Sequence, residues 1–419
     1  MSVEYDIVIV GGGMVGAALA AKLASQEATS GLRIALVEAG PQPPLFTGDN
    51  FDPRVVALSQ KSAALLQSLG VWQDIVQVRA CAYTAMDIWD AEGTGNIQFY
   101  AEDVHQPCLG HIIENSAVVR CLRNRLESLP SVTLLDDYRV VGFDNSTLPG
   151  KLTLQGTDNL QDTDKECTRE LHASLVVAAD GARSQMREMV GLKTREWDYH
   201  HTAIVTTVRC ERSHQHTCWQ RFTQRGPIAL LPLQPSASAS ASADSGSRHF
   251  CSLVWSAQSD LAEELMALDT PAFCHRLGQA FEYRLGAVEQ SAERFAIPLR
   301  QRHAVDYIGS GFALVGDAAH SIHPLAGQGV NLGFYDVQAL AEEVSRACQR
   351  DIPLVDGSIL RRYQRNRKTQ NLLAMASMES FKQLFAADDP FVRWARNSGM
   401  SLVNNQFFLK KQLAQIAAG

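Results

Sequence analysis

Ile7-Val8-Ile9-Val10-Gly11-Gly12-Gly13-Met14-Val15-Gly16 decides the fold. Four β-branched residues in a row form a strand buried on both faces, the pattern of a parallel sheet. Glycines follow, then Ala17-Ala18-Leu19-Ala20-Ala21, a helix-forming run small enough to lie close on that sheet. Arg33-Ile34-Ala35-Leu36-Val37 makes a second strand that ends on Glu38, so the first forty residues read as a βαβ unit. A G-x-G-x-x-G spacing alone matches many turns. Here it lies between a buried strand and a helix, where a dinucleotide needs it. Gly11 permits the tight turn, Gly13 lets backbone amides approach a pyrophosphate, and Gly16 lets helix and strand touch. Gly12, Met14 and Val15 fill the rest of the loop, and the helix N-terminus adds partial positive charge. Glu38 is placed to accept from an adenosine ribose. The plainer alternative is a βαβ turn whose glycines only relieve strain.

Two later strands close on Asp and Gly. Ala173 to Ala179 runs into Asp180-Gly181, and Phe312-Ala313-Leu314-Val315 runs into Gly316-Asp317. After Ala318-Ala319-His320, the stretch His323-Pro324-Leu325-Ala326-Gly327-Gln328-Gly329-Val330-Asn331-Leu332-Gly333 opens another helix. No third helix–strand repeat follows Glu38 directly, which disfavours a compact nicotinamide-binding half. A strand-end Asp and a second glycine-rich helix start suit a long cofactor held at both halves, which favours FAD over NAD. Residues from about 75 to 110 and 197 to 300 alternate in polarity and read as antiparallel strands of a second layer. Gln234–Ser247, rich in Ser and Ala, reads as a solvated loop.

Composition narrows the class. With 419 residues, two or three domains are expected, and 46% apolar against 20% charged residues excludes a largely disordered chain. A net charge of −7 offers no positive field for nucleic acid. Nine cysteines without a CxxC pair read as thiols of a reducing compartment rather than disulfides or a zinc site. The N-terminus carries acids where an export signal needs cations, and no apolar run is long enough to span a bilayer, so a cytoplasmic protein is expected. No metal-ligand constellation and no Gly-x-Ser-x-Gly elbow is present.

GGGMVG, Asp52-Pro53-Arg54-Val55, Ala179-Asp180-Gly181-Ala182-Arg183-Ser184, and GDAAH with Pro324 to Asn331 occur in this order along the chain. In these motifs the sequence resembles the flavin-dependent aromatic hydroxylases of the para-hydroxybenzoate hydroxylase fold, and among them the ubiquinone-biosynthesis hydroxylases. The fold so implied is α/β: a Rossmann-like FAD-binding domain (1–74, 111–196, 301–345) interleaved with an antiparallel-sheet substrate domain (75–110, 197–300), then a helical C-terminal region (346–419). The resemblance implies that Gly11, Gly12, Gly13, Met14, Val15 and Gly16 cradle the FAD pyrophosphate while Glu38 holds the ribose. Arg54 would lie along the cofactor, Asn115 and Arg120 beside the flavin, Asp180 at a cofactor-facing turn shared with Arg183, and Gly316-Asp317 on the ribityl chain. Pro324, Gly327, Gln328, Gly329, Val330 and Asn331 would aim helix amides at the flavin N1–C2=O edge.

The implied cycle is flavin reduction by NAD(P)H, reaction with O2 to a C4a-hydroperoxide, and hydroxylation of an electron-rich ring, the substrate being a polyprenylated phenol. No catalytic base is assigned. His320, His323, Tyr199 and His201 are candidates, since a neutral histidine can take a phenolic proton. An insoluble substrate implies peripheral contact with a membrane or a quinone-making complex. The repeat of Leu402, Leu409, Leu413 and Ile416 is compatible with an amphipathic helix on such a surface, or with one folded on its own domain. A homo-oligomer is compatible too. A reductase or oxidase of the same fold and a non-catalytic flavoprotein scaffold remain as alternatives.

Overall fold

The computed structural model describes residues 5–91, 93–157, 168–235, 249–322 and 329–386, together with 389, 397, 398, 400 and 404. Its central strand is Tyr5–Val10, with Ile7, Val8 and Ile9 fully buried. Burial on both faces is what the β-branched run requires. Ile34–Glu38 pairs parallel on one side and Thr168–Ala178 on the other; Val132–Asp136 and Phe312–Leu314 extend the parallel sheet outward. The register sets Val10 beside Val37 and Ala178, and Ala178 beside Leu314. The segments that follow these strands, at Gly11, Glu38, Asp180 and Gly316, therefore converge at one carboxyl edge. In open α/β sheets that is where ligands bind.

A nine-stranded sheet forms the second layer. Thr194–Cys210 pairs antiparallel with Phe250–Gln258 and Phe295–Ala304, and the sheet continues through Ile228–Pro232 and Thr217–Phe222 to Ala85–Asp90 and Asn96–Tyr100. Between the layers, Val55–Ser59, Gly110–Glu114 and Ala80–Tyr83 make a separate three-stranded sheet.

Strands do not run throughout 197–300 as the alternation suggested. Ser259–Ala267 and Thr270–Ala280 are helices. The reason is local: Leu261 and Leu265, then Phe273 and Leu277, recur four residues apart and are buried. The Asp269 side chain accepts from the Ala272 amide at 2.8 Å, and Pro271 sits in the first turn where its missing N–H costs nothing.

Two long helices close the structure, Gly329–Gln349 and Gly357–Ala386. The second is anchored where the Tyr363 hydroxyl donates to the Leu314 carbonyl at 2.7 Å. Phe385 stacks on Phe222 at its far end, so one helix touches both layers. The eight described cysteines are free thiols. No helix among the described residues is long and apolar enough to cross a membrane. The Ser/Ala stretch 236–248 and the Leu402–Ile416 repeat lie outside the described residues.

Candidate flavin site

A cleft of about 500 Å³ opens at the carboxyl edge, lined by Gly11, Gly13, Glu38, Ala39, Asp180 and Arg183 among others. That volume is within the ordinary range for a small-molecule site. The glycines divide into two kinds. Gly11 has φ +108°, and a Cβ there would press on the Ala179 carbonyl; a Cβ on Gly16 would overlap the Gly11 carbonyl. Those two are demanded by the turn itself. A Cβ on Gly13 would meet nothing within 4 Å, and its φ of −66° suits any residue. Packing does not explain a glycine at 13, whereas a ligand lying against its backbone does.

Glu38 bends back over the loop. One carboxylate oxygen accepts from the Gly12 amide at 2.6 Å and the other from Gly40 at 2.7 Å. Asp180 caps the short Gln185–Met189 helix by accepting from the Met186 amide at 3.1 Å, and its other oxygen is buried without a partner among the described residues. A buried acceptor left unpaired is costly unless something fills it. FAD, with its ribose hydroxyls, fits both the bare backbone at Gly13 and these acceptors.

At the neighbouring strand end, Asp317 is exposed, yet the surrounding protein crowds its carboxyl and pushes its pKa up, with His320 opposing and Asp336 adding. Beneath it lies a buried polar network that sequence reasoning missed. Asp336, with no exposed surface, accepts from the Gly316 amide at 2.9 Å, from His320 Nε2 at 2.6 Å and from Arg367 Nε at 2.7 Å. Burial alone would raise its carboxyl, but His320 and Arg367 outweigh that and hold it below the ordinary range. Asn371 bridges to Tyr307, whose hydroxyl meets His303 Nε2 at 3.1 Å. The network pins the Gly316-Asp317 turn from below. A charge on the helix face otherwise made of Gly333, Val337 and Leu340 was the available signal.

On the other flank, Asp52 accepts from the Arg54 amide and, with its second oxygen, from Ser116 at the start of the Asn115–Glu127 helix, both at 2.9 Å. Asp52 thereby fixes Arg54, which is exposed and whose guanidinium has no partner among the described residues. Asn115 Oδ1 is buried without a partner, and Arg120, half-buried one turn on, is likewise unpaired among the described residues. Asn331 is different: its amide donates to the Ala57 carbonyl and accepts from the Ser59 amide and the Ser62 hydroxyl. That side chain ties the first turn of Gly329–Gln349 to the small sheet. Val330 packs on the main core, and Gly329 begins the helix. His323, Pro324, Gly327 and Gln328 lie outside the described residues.

The base candidates that are described are all engaged. His320 is held by Asp336. The Tyr199 hydroxyl donates to Gln301, and burial raises its pKa. His201 Nδ1 lies 2.6 Å from the Tyr199 carbonyl at a bulge in the strand. No group of His, Cys, Asp and Glu among the described residues could hold a metal ion.

Fold and cleft define a flavoprotein, and residues 4–371 match the family described as FAD binding domain. The chain is 35% identical over 415 residues to the 3-demethoxyubiquinol 3-hydroxylase of Escherichia coli strain K12, covering 99% of this chain and 98% of that one. It is 33% identical over 414 residues to a ubiquinone hydroxylase of Rhodospirillum rubrum, covering 99% and 89%. Among solved structures, p-nitrophenol 4-monooxygenase from Pseudomonas putida DLL-E4 superimposes with a TM-score of 0.74 at 18% identity over 99% and 98% of the two chains, a likeness of fold. The protein belongs to the ubiquinone-biosynthesis FAD-dependent hydroxylases. It is an FAD-dependent monooxygenase.

Proposed function

We propose that this monooxygenase hydroxylates the aromatic ring of a polyprenylated phenol on the route to ubiquinone, with NAD(P)H and O2 as co-substrates. The observation that carries the site assignment is the parallel register that brings Gly13, Glu38, Asp180 and Asp317 to one edge. The ring chemistry follows the relatives' named reactions. When bound, FAD supplies the redox centre that activates oxygen.

The chain's own residues do the rest. The Gly13 backbone and the N-terminus of Met14–Ser25 face the pyrophosphate, while the Gly11 amide holds the Val37 carbonyl. Glu38 exchanges its Gly12 and Gly40 amides in part for ribose hydroxyls, and Asp180 offers its free oxygen. Asp317, held by the Gly316–Asp336 bond, takes the ribityl hydroxyls. Arg54 and Asn115 flank the cofactor from the Asp52-capped helix start. The first turn of Gly329–Gln349, moored by Asn331, brings its amides and dipole to the ring, where they favour negative charge. The apolar cluster where the layers meet, with Ala57, Leu231 and Phe250, keeps water from that side, which limits wasteful release of peroxide. A lipid substrate calls for contact with a membrane surface or a carrier assembly.

The test is NAD(P)H oxidation by the purified holoenzyme with and without a prenylated phenol, using isotopically labelled O2. The proposal expects oxidation stimulated by the phenol and label in the product. Stimulation without label indicates a reductase, and FAD binding without stimulation indicates a scaffold.

A further inference from the structure

We propose that Gln220 supplies the hydrogen bond that fixes the ring oxygen of the substrate, on a floor of apolar side chains that carries its prenyl chain. The inference rests on the function proposed above and names a residue for it.

Strand register sets Ile97 beside Ile88, Ile88 beside Gln220, Gln220 beside Ala229, Ala229 beside Val254, and Val254 beside Val205. One row crosses the sheet, and its only polar member is Gln220. Alternation along the strand settles which way the row faces. Trp219 packs on the core around Trp89 and Phe273, and Arg221 donates to the Ala280 carbonyl, so those neighbours take the helix-covered side. Cys218 and Phe222 pack on the opposite side, against the small sheet and the end of Gly357–Ala386. Gln220 shares their face.

That face looks toward the flavin end of the cleft. Ile88, Ala229 and Val254 pack against a cluster containing Ala57, whose carbonyl accepts from Asn331 at the start of the flavin-facing helix. Ile88 and Ile97 also pack against Phe222, Phe385 and Met400, whereas Ala229 and Val254 remain only half-buried where elements of both layers meet, so the row borders a crevice on their side. Gln220 is 8% exposed, and its side-chain amide atoms, which make no hydrogen bond among the described residues, keep contact with solvent. An amide that reaches the crevice from an apolar floor is open to a ligand, and a ligand that displaces its water must replace the hydrogen bond. A phenolic oxygen does so, as both donor and acceptor. A site built in this way rejects the analogue that lacks the hydroxyl.

The experiment titrates the holoenzyme with a phenol bearing one prenyl unit and with the corresponding prenylbenzene, following the flavin absorbance. Wild type should prefer the phenol by about tenfold. Gln220→Met should abolish that preference while leaving prenylbenzene affinity unchanged. Should the Met variant fail to fold, Gln220→Glu gives the same information, because it retains the phenol and loses the phenol methyl ether, which cannot donate. A preference that survives in Gln220→Met, or both ligands weakened equally, overturns the assignment of Gln220. A wild type that binds neither ligand overturns the proposed substrate, and this inference with it.

Discussion

The Cβ that Gly333 lacks would stand 2.6 Å from a Val15 methyl, and the Gly316 Cα lies 3.4 Å from the same point. Val15, from the first glycine loop, thus plugs the space left by two glycines of the last motif. The two ends of the proposed cofactor site interlock through one side chain, although most of the chain separates them in sequence. Gly333→Ala should overpack this joint and destabilise the protein by about 1–3 kcal/mol in denaturant unfolding. Combining it with Val15→Ala should recover more than half of that loss, because the two positions share one space.

Asp336 is the keystone beneath the Gly316-Asp317 turn. Asp336→Ala leaves the Arg367 guanidinium buried and unneutralised and should cost about 3–5 kcal/mol. Replacing the pair together, Asp336→Leu with Arg367→Met, should be milder than either single change. Equilibrium unfolding of the three variants measures the difference, and independent, additive losses would mean the pair does not act as a unit.

Acid should loosen the same region through His303. Burial, with His320, Lys368 and Arg195 nearby, draws its pKa down to about 4 from an unfolded value of 6.5. The folded state therefore favours neutral imidazole. Stability from this source is complete above pH 6.5, falls as the pH drops toward 4, and has lost about 2 kcal/mol by pH 5. His303→Gln should flatten the stability profile between pH 7 and 5 relative to wild type. An unchanged slope would show that other groups govern it.

Much of this was legible in the sequence because strong local patterns and tertiary needs agreed. Ile7–Val10 could only be a strand buried on both faces, and Glu38, Asp180 and Asp317 each end or follow such a strand. Other features depend on partners distant in sequence. Asp336 looks like one charge on a helix until the fold brings His320 and Arg367 to it. Asn331 reads as a cofactor residue from its motif, and the fold adds a second task, bonds from its side chain to Ala57, Ser59 and Ser62 that no local pattern shows. Helices at 259–280 were hidden by alternating polarity around them, although Asp269 with Pro271 carries a legible start signal.

FAD uptake by Gly13→Ala tests the central claim most directly. Because nothing in the protein meets a Cβ at this position, the variant should unfold at the same denaturant concentration as wild-type apoprotein. Wild type should take up one FAD per chain, while Gly13→Ala should bind it at least about tenfold more weakly, since a single methyl would stand between backbone and pyrophosphate. Asp317→Ala should weaken uptake from the other end. FAD binding equal to wild type in both variants would contradict the account.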